Sequence, residues 1–401
     1  MAPSLRQVAP LLAVFPSRSI GASLLAPCLP EIASSLQTTY EGVGSLVGGV
    51  YIGYGLSVLG VGLLGRRLRP RLLLLLGAAI QAVAVALFAA SPGFAVAWVA
   101  CLLYGTAGTA DLAATAILAG VGGERRGHLL SLGHGSYAMG AVAVPLAAGW
   151  ALDAGGTWRL LFAATVVANL AVLAWVVLSG AGRGVGEEAV PVERAGTGLW
   201  RFPAFRGGML AMALYIAAEV GPAVWLPTWF RERFGASAVL GSASVAVFWA
   251  AMMLGRLRLG RRVDGPGARR FVARLAVLAA CAWTAVLLSV HAWMALAAVA
   301  AFGLAMSVCA PALQGFAARP FPGSETPVMA WLAAVSGAIG ALLPWGIGAA
   351  AERLGPAGAV TGRGMGLTFA LGLGPLLLAA LALVVSRAGG LTEPGAGCRR
   401  T

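Results

Sequence analysis

Long apolar stretches separated by short polar or basic turns run from one end of this chain to the other. Twelve of them are long enough to cross a bilayer, near residues 8–30, 43–65, 71–90, 94–119, 129–150, 158–179, 207–230, 236–257, 271–290, 292–314, 327–350 and 364–386. About 20 helical residues cross a hydrocarbon layer roughly 30 Å thick. Lipid offers the backbone no hydrogen-bond partner, so each span must satisfy its own N–H and C=O groups as a helix. The pattern predicts an all-α polytopic membrane protein of twelve transmembrane helices.

The spans repeat. Gly62-Leu-Leu-Gly-Arg66-Arg67-Leu-Arg69-Pro-Arg71 and Gly260-Arg-Arg-Val-Asp264-Gly265-Pro-Gly267-Ala-Arg269 lie 198 residues apart, as do Gly105 and Gly303. Pro145-x-x-x-Gly149-x-x-x-Asp153 and Pro344-x-x-x-Gly348-x-x-x-Glu352 are 199 apart, and Leu29-Pro30 and Leu226-Pro227 are 197 apart. A fixed offset of half the chain marks a duplicated unit. The expected organisation is a six-helix half over 1–180, a cytoplasmic linker over 181–206, a second six-helix half over 207–387, and a disordered tail over 388–401. The linker carries the Gly-, Pro- and charge-rich interruption of the pattern.

Composition agrees. Hydrophobic residues make up 59% of the chain, charged residues 10%, and mean hydropathy is +0.87, where a soluble domain carries about 25% charge. The net charge of +14 comes from 28 basic residues, all arginine. With the N-terminus inside, 22 of them fall in inner segments and five (159, 231, 233, 353 and 363) in outer ones. That asymmetry places both termini in the cytoplasm and excludes nucleic acid as the reason for the charge. The five cysteines (28, 101, 281, 309 and 398) have neither pairing nor metal spacing.

Few polar groups interrupt the spans. Arg18 sits mid-way along the first, too deep to snorkel comfortably and unable to shed its proton, so it needs an anion close by. Asp111 in the fourth span and Glu219 in the seventh can supply one, and so can an acidic substrate. The first alternative implies a neutral substrate, the second an acidic one. Asp111 and His134 both lie roughly 7–8 Å to the cytoplasmic side of the midplane, so they can pair, either as a structural tie or as a proton site. Intramembrane ionisable groups are functional-site candidates. Gly221-Pro222 beside Glu219 predicts a local break that lines a cavity. Trp225, Trp229, Trp249 and Trp345 suit either sugar stacking or interfacial anchoring. Glycines at 44, 48, 49 and 53 allow close helix packing. The leucine- and alanine-rich third span is expected to face lipid.

Twelve spans in two related halves, each with an arginine-rich loop after its second span, resemble the major facilitator superfamily. Its loop signature is G-x-L-x-D-R-x-G-R-R. The second loop keeps Gly260, Asp264, Gly267 and Arg269. The first keeps Gly62, Leu64, Arg67 and Arg71 but has Arg66 for the aspartate and Arg69 for the glycine. The resemblance implies a cytoplasmic latch formed by Arg67, Arg71, Arg256, Asp264 and Arg269. His134, Tyr137, Gly140 and Pro145 are similar to the fifth-span H-x-x-F-x-x-G-x-x-x-x-P of the fucose and sugar permease branch. Tyr215, Glu219, Trp225, Leu226, Pro227 and Thr228 are similar to its seventh-span Y-x-x-x-E-x-x-x-x-x-W-L-P-T. Gly105, Gly108 and Asp111 match its fourth-span glycine-aspartate motif, with Thr115 in place of asparagine. By that resemblance, spans 1, 4, 7 and 10 line a pathway holding Arg18, Asp111, Glu219 and Gln314, and His134 and Trp225 are further candidates for the substrate and proton pathway.

The expected function is secondary transport of a small organic solute, sugar-like or related, by alternating access in a bacterial cytoplasmic membrane. Protons are the expected coupling ion, with no cofactor, no metal, no catalytic cluster and a monomeric state. Proton-driven efflux of drugs or metabolites is the alternative. A polytopic membrane enzyme would need a catalytic cluster at one membrane face, and the sequence offers none.

Overall fold

The computed structural model describes residues 5–64, 69–122, 126–183, 197–263, 267–322, 324–354, 366–368 and 370–387. Fourteen α-helices account for nearly all of them, and no strand occurs among the described residues. The helices are α1 (Leu5–Ser35), α2 (Tyr40–Leu64), α3 (Pro70–Ala89), α4 (Phe94–Thr106), α5 (Thr109–Gly122), α6 (Arg126–Asp153) and α7 (Trp158–Ser179). The series continues with α8 (Pro203–Phe234), α9 (Ala238–Leu259), α10 (Ala268–Leu288), α11 (Ala292–Met306), α12 (Cys309–Ala318), α13 (Glu325–Leu354) and α14 (Leu373–Arg387). They supply twelve spans of membrane-crossing length and hydropathy. Spans four and ten are each built from two helices, α4 with α5 and α11 with α12.

Two breaks therefore occur where the sequence suggested none, and the expected one is absent. The seventh span, α8, runs unbroken through Gly221-Pro222, because Pro222 and Pro227 each remove only one N–H from a 32-residue ladder. Span four breaks at Ala107 and Gly108, where the amide of Gly108 turns back to Gly105 O at 2.9 Å. This 3₁₀ bond leaves Tyr104 O without its i+4 donor. Span ten breaks at Ser307 and Val308. There Pro311 has no N–H to offer Ser307 O, and Ser307 Oγ donates to Leu304 O at 2.7 Å.

The described residues form two compact units. The first comprises Met1–Val192 with Val224–Ala246 and Ala341–Leu367. In it α1 packs on α6 and α7, α2 on α4, and α3 on α5 and α7. Gly53 and Gly105 set the α2–α4 approach, since a Cβ on either would collide with the backbone of the other helix at Leu102 O or Val50 O. Leu11, Phe15, Leu74, Ala114, Ile117 and Val176 form its apolar core. A buried polar triad ties three helices together. Ser17 Oγ donates to Asn169 Oδ1 at 2.5 Å, and Gln81 Nε2 donates to the same oxygen at 2.7 Å. Gln81 thus gives the third span a buried face toward α1 and α7. Its other face, with Leu72, Leu76 and Val83, is exposed, so the span expected to face lipid has one apolar side open and the other buried.

The second unit comprises Glu193–Ala223, Val247–Gly340 and Thr368–Thr401. Here α10 packs on α11 and α14. Trp283 is fully buried, donates to Leu371 O at 3.1 Å and lies 5.0 Å from the ring of Phe302. Gly303 gives α11 its close approach to α9, where a Cβ would lie 2.5 Å from Phe248 O. The Gly105–Gly303 correspondence in the sequence is thus a shared packing device. Most of the expected linker (184–196) and the C-terminal tail lie outside the described residues.

Candidate functional site

The break in span four creates a demand that the first span meets. The carbonyls of Tyr104 and Gly105 end α4, and a helix C-terminus carries partial negative charge that favours a cation. Arg18 reaches them from α1. Its Nη1 donates to Tyr104 O, and its Nη2 lies 3.5 Å from Gly105 O. The guanidinium lies 4.2 Å from the centre of the Tyr104 ring, a cation–π distance. Tyr104 Oη returns a hydrogen bond to Arg18 O at 2.5 Å.

Asp111 stands on the other side of the break, in the first turn of α5, where a carboxylate complements the positive end of a helix. Arg18 Nε and Asp111 Oδ2 are 3.3 Å apart, with side-chain exposures of 7% and 24%. The pair therefore bridges the break, cation on the carbonyl end and anion on the amide end. Asp111 Oδ1 is buried and accepts no hydrogen bond among the described residues. Tyr54 and Tyr137 lie within electrostatic reach of the pair. Small residues make this possible: a Cβ on Gly108 would lie 2.5 Å from the Tyr54 ring, and one on Gly21 would lie 2.8 Å from Tyr104 Oη.

The anion that Arg18 requires is thus Asp111. His134 does not share that carboxylate; it is exposed, and its ring meets Phe15 edge-on at 5.4 Å. Tyr137 and Gly140, quoted in the same motif, serve the α1–α6 contact. Ser19 Oγ donates to Tyr137 O at 2.7 Å, and a Cβ on Gly140 would lie 2.5 Å from Ser19 Oγ.

A family model described as Major Facilitator Superfamily matches residues 12–344. The chain belongs to the major facilitator superfamily. Two solved structures are similar along almost the whole chain of this superfamily member. One is a bacterial homolog to human lysosomal transporter, Spinster, in inward-facing and occupied conformation. It has TM-score 0.83 and 14% identity, over 97% of this chain and 98% of that one. The other is such a homolog in inward-facing and unoccupied conformation, with TM-score 0.75 and 16% identity, over 98% and 97% of the two chains. At these identities the likeness establishes the fold. No curated protein sequence matches the chain.

In the second unit of this superfamily protein, Arg256 repeats the role of Arg18. Its Nε donates at 3.1 Å to Ser307 O, the carbonyl that Pro311 leaves without a donor. Its Nη2 contacts Met252 Sδ at 3.3 Å. Glu219 on α8 is half-buried and lies within electrostatic reach of Arg256 and of Tyr215, one turn away. Gln314 is exposed on α12. Trp225, in the first unit, is fully buried, donates to Pro344 O at 3.2 Å and lies against Tyr40 at 5.5 Å. Both faces and the N–H of this indole are engaged in packing. Of the loop residues, Arg71 donates to Ala181 O at 2.7 Å, and Arg269 lies 5.5 Å from the Phe316 ring. Arg67 and Asp264 lie outside the described residues.

Sequence reasoning located Arg18 and Asp111 as isolated charges in apolar spans. The helix break that unites them, the matching break at Ser307 and the Gln81 triad went unread. Pro311 was the available signal for the second break.

Proposed function

We propose that the protein is a secondary active transporter that moves a small organic solute by alternating access, with Asp111 as the site of proton coupling. The observation that carries this reading is the Arg18–Asp111 pair across the break in span four. A buried arginine stays charged at any working pH, whereas a carboxylate can take up a proton. Asp111 Oδ1, buried and accepting no hydrogen bond among the described residues, is an acceptor for that proton. Once it is protonated, the attraction holding Arg18 between α4 and α5 falls, and the two helices of span four are freed to shift. A discontinuous helix with charges at its break is a recurrent device of secondary transporters.

The state of Arg18 favours a neutral, sugar-like substrate, in keeping with the permease resemblance. All three guanidinium nitrogens are directed at protein acceptors and one face is stacked on Tyr104, which leaves no open fork for an acidic ligand. A transport role also suits the absence of any catalytic cluster in the sequence. The energy source is a proton gradient rather than a cofactor, and the setting is a bacterial cytoplasmic membrane with both termini inside. Proton-driven efflux is the second reading; the same pair supports it, because coupling chemistry does not fix direction.

Two measurements test this. A thermal-stabilisation screen of neutral sugars, sugar acids and amphiphilic drugs at two pH values identifies a transported probe, with neutral sugars expected to stabilise. That probe is then followed in proteoliposomes. Asp111→Asn should abolish accumulation driven by a pH gradient while leaving probe exchange partly intact. A variant that still concentrates the probe in response to a pH gradient removes Asp111 from the coupling role.

A further inference from the structure

Within the second unit, where α8 and α10 begin and α12 and α14 end, the four helices leave a groove of about 490 Å³ between them. Gly207 and Ala211 of α8, Leu313 and Phe316 of α12 and Val384 of α14 form its apolar walls, and Arg269 of α10 is the charged residue among them. The arginine asymmetry of the loops assigns this end to the cytoplasm. We propose that the groove binds an anionic phospholipid of that leaflet, with one acyl chain in the groove and the phosphate on Arg269 and Arg319. The site is separate from Arg18 and Asp111, and its occupation requires nothing of the coupling step.

A pair of glycines shapes the groove. Gly207 and Gly208 sit side by side near the start of α8, although glycine weakens a helix relative to alanine. Gly208 has a packing reason, since a Cβ there would lie 3.0 Å from the Cβ of Ala317 on α12. Gly207 has none: its φ is not positive, and a Cβ on it would meet nothing within 4 Å. The helices therefore touch at one residue and leave an unfilled apolar space at the next. Apolar walls that lack partner atoms forfeit dispersion contacts, and a hydrocarbon chain restores them.

Two guanidinium groups converge on one wall of this space. Arg269 lies 5.5 Å and Arg319 5.9 Å from the centre of the Phe316 ring, and the two arginines are within electrostatic reach of each other. Among the described residues Arg319 forms no salt bridge with a carboxylate. Like charges held together favour a shared anion, and the planar fork of arginine matches a phosphate. Basic pockets between spans on the cytoplasmic side are a recurrent form of headgroup site. The depth agrees. Trp200 and Phe202, both exposed, cluster with Phe205, Phe321 and Trp331 at the entry to α8, with ring separations of 5.2 to 6.0 Å. Such aromatic belts mark the headgroup level. The C-terminal segment of the chain is a poorer match to the two cations, because it ends in Arg399 and Arg400.

The test titrates the full-length protein in a neutral detergent with phosphatidylglycerol or phosphatidylcholine of the same chains, and counts bound lipid by native mass spectrometry. Phosphatidylglycerol should be retained preferentially. Arg269→Gln/Arg319→Gln should weaken its retention roughly 30-fold, the scale of two arginine–headgroup interactions, and leave phosphatidylcholine unaffected. Arg258→Gln/Arg270→Gln, an equal loss of exposed charge, should change nothing. Gly207→Leu keeps every charge and should weaken both lipids roughly tenfold, the scale of two methylenes denied burial. If that variant disturbs α8, Arg319→Gln alone, at an exposed position ending α12, still decides the matter with a roughly fivefold loss of phosphatidylglycerol. Equal retention of the two lipids, an equal loss in Arg258→Gln/Arg270→Gln, or unchanged retention in Arg319→Gln overturns the site. So does thermal stabilisation by inorganic phosphate equal to that by phosphatidylglycerol, which would leave the groove no part. Removing residues 388–401 should not alter retention; a rise would make that segment the occupant and overturn the lipid.

Discussion

Removing Arg18 and removing Asp111 should have unequal consequences, and the inequality follows from which partner can discharge itself. Arg18→Gln leaves the Asp111 carboxylate without its cation and Tyr104 O without its donor. Asp111→Asn leaves a guanidinium that is 6% exposed with carbonyls and a ring but no counter-charge. Breaking a buried pair by deleting one member costs about 3–5 kcal/mol. In Arg18→Gln the orphaned carboxylate can escape that cost by binding a proton, whereas in Asp111→Asn the arginine has no such route. Sign follows directly. A carboxylate that must be protonated to be tolerated binds more protons folded than unfolded, so Arg18→Gln should regain stability as pH falls. Asp111→Asn should show no such recovery. The double variant Arg18→Gln/Asp111→Asn removes both charges and should be more stable than Asp111→Asn, with a coupling energy of about 2–3 kcal/mol. Thermal unfolding of the purified protein in detergent between pH 5 and 8, for the wild type and three variants, measures all of this. A double variant no more stable than the worse single variant would refute the claim that the charges are held chiefly by each other.

Two other perturbations are sharply defined. Arg256→Gln strips Ser307 O of its donor, and an orphaned buried carbonyl costs about 1–3 kcal/mol. Lower thermal stability is expected, with recovery in Arg256→Gln/Pro311→Ala, because alanine returns an N–H to that carbonyl; no recovery would separate Arg256 from the helix break. Topology is checked by single cysteines at exposed positions in a background without the native ones. Pro92→Cys should react only from outside and Arg270→Cys only from the cytoplasm, and labelling in the opposite sense would invert the assigned orientation.

The spans were legible because lipid imposes a simple condition on sequence. A helix about 20 residues long must be apolar throughout, and no tertiary contact can excuse it. The duplication was legible because equivalent positions carry equivalent duties, as Gly105 and Gly303 show by packing against Val50 O and Phe248 O. Charge placement was legible too: an Arg18 buried in a span had to have an anion within reach. Which anion it was remained open, because Asp111 and Glu219 satisfy the same depth argument.

Tertiary structure decided the rest. Whether span four breaks depends on Arg18 arriving from another helix to take the freed carbonyls. Pro222 and Pro311 illustrate the difference. Both sit within spans, yet α8 continues through one while span ten is interrupted just before the other, at the Ser307 carbonyl that Arg256 takes. A proline reports a missing donor, and only the neighbours determine what replaces it. Asp153 and Glu352 make the same point. Their spacing from Gly149 and Gly348 is written in the chain, but the helix starts they cap lie 85 and 312 residues away. Period and composition specify what each helix is. The partners of its unsatisfied groups are a property of the fold.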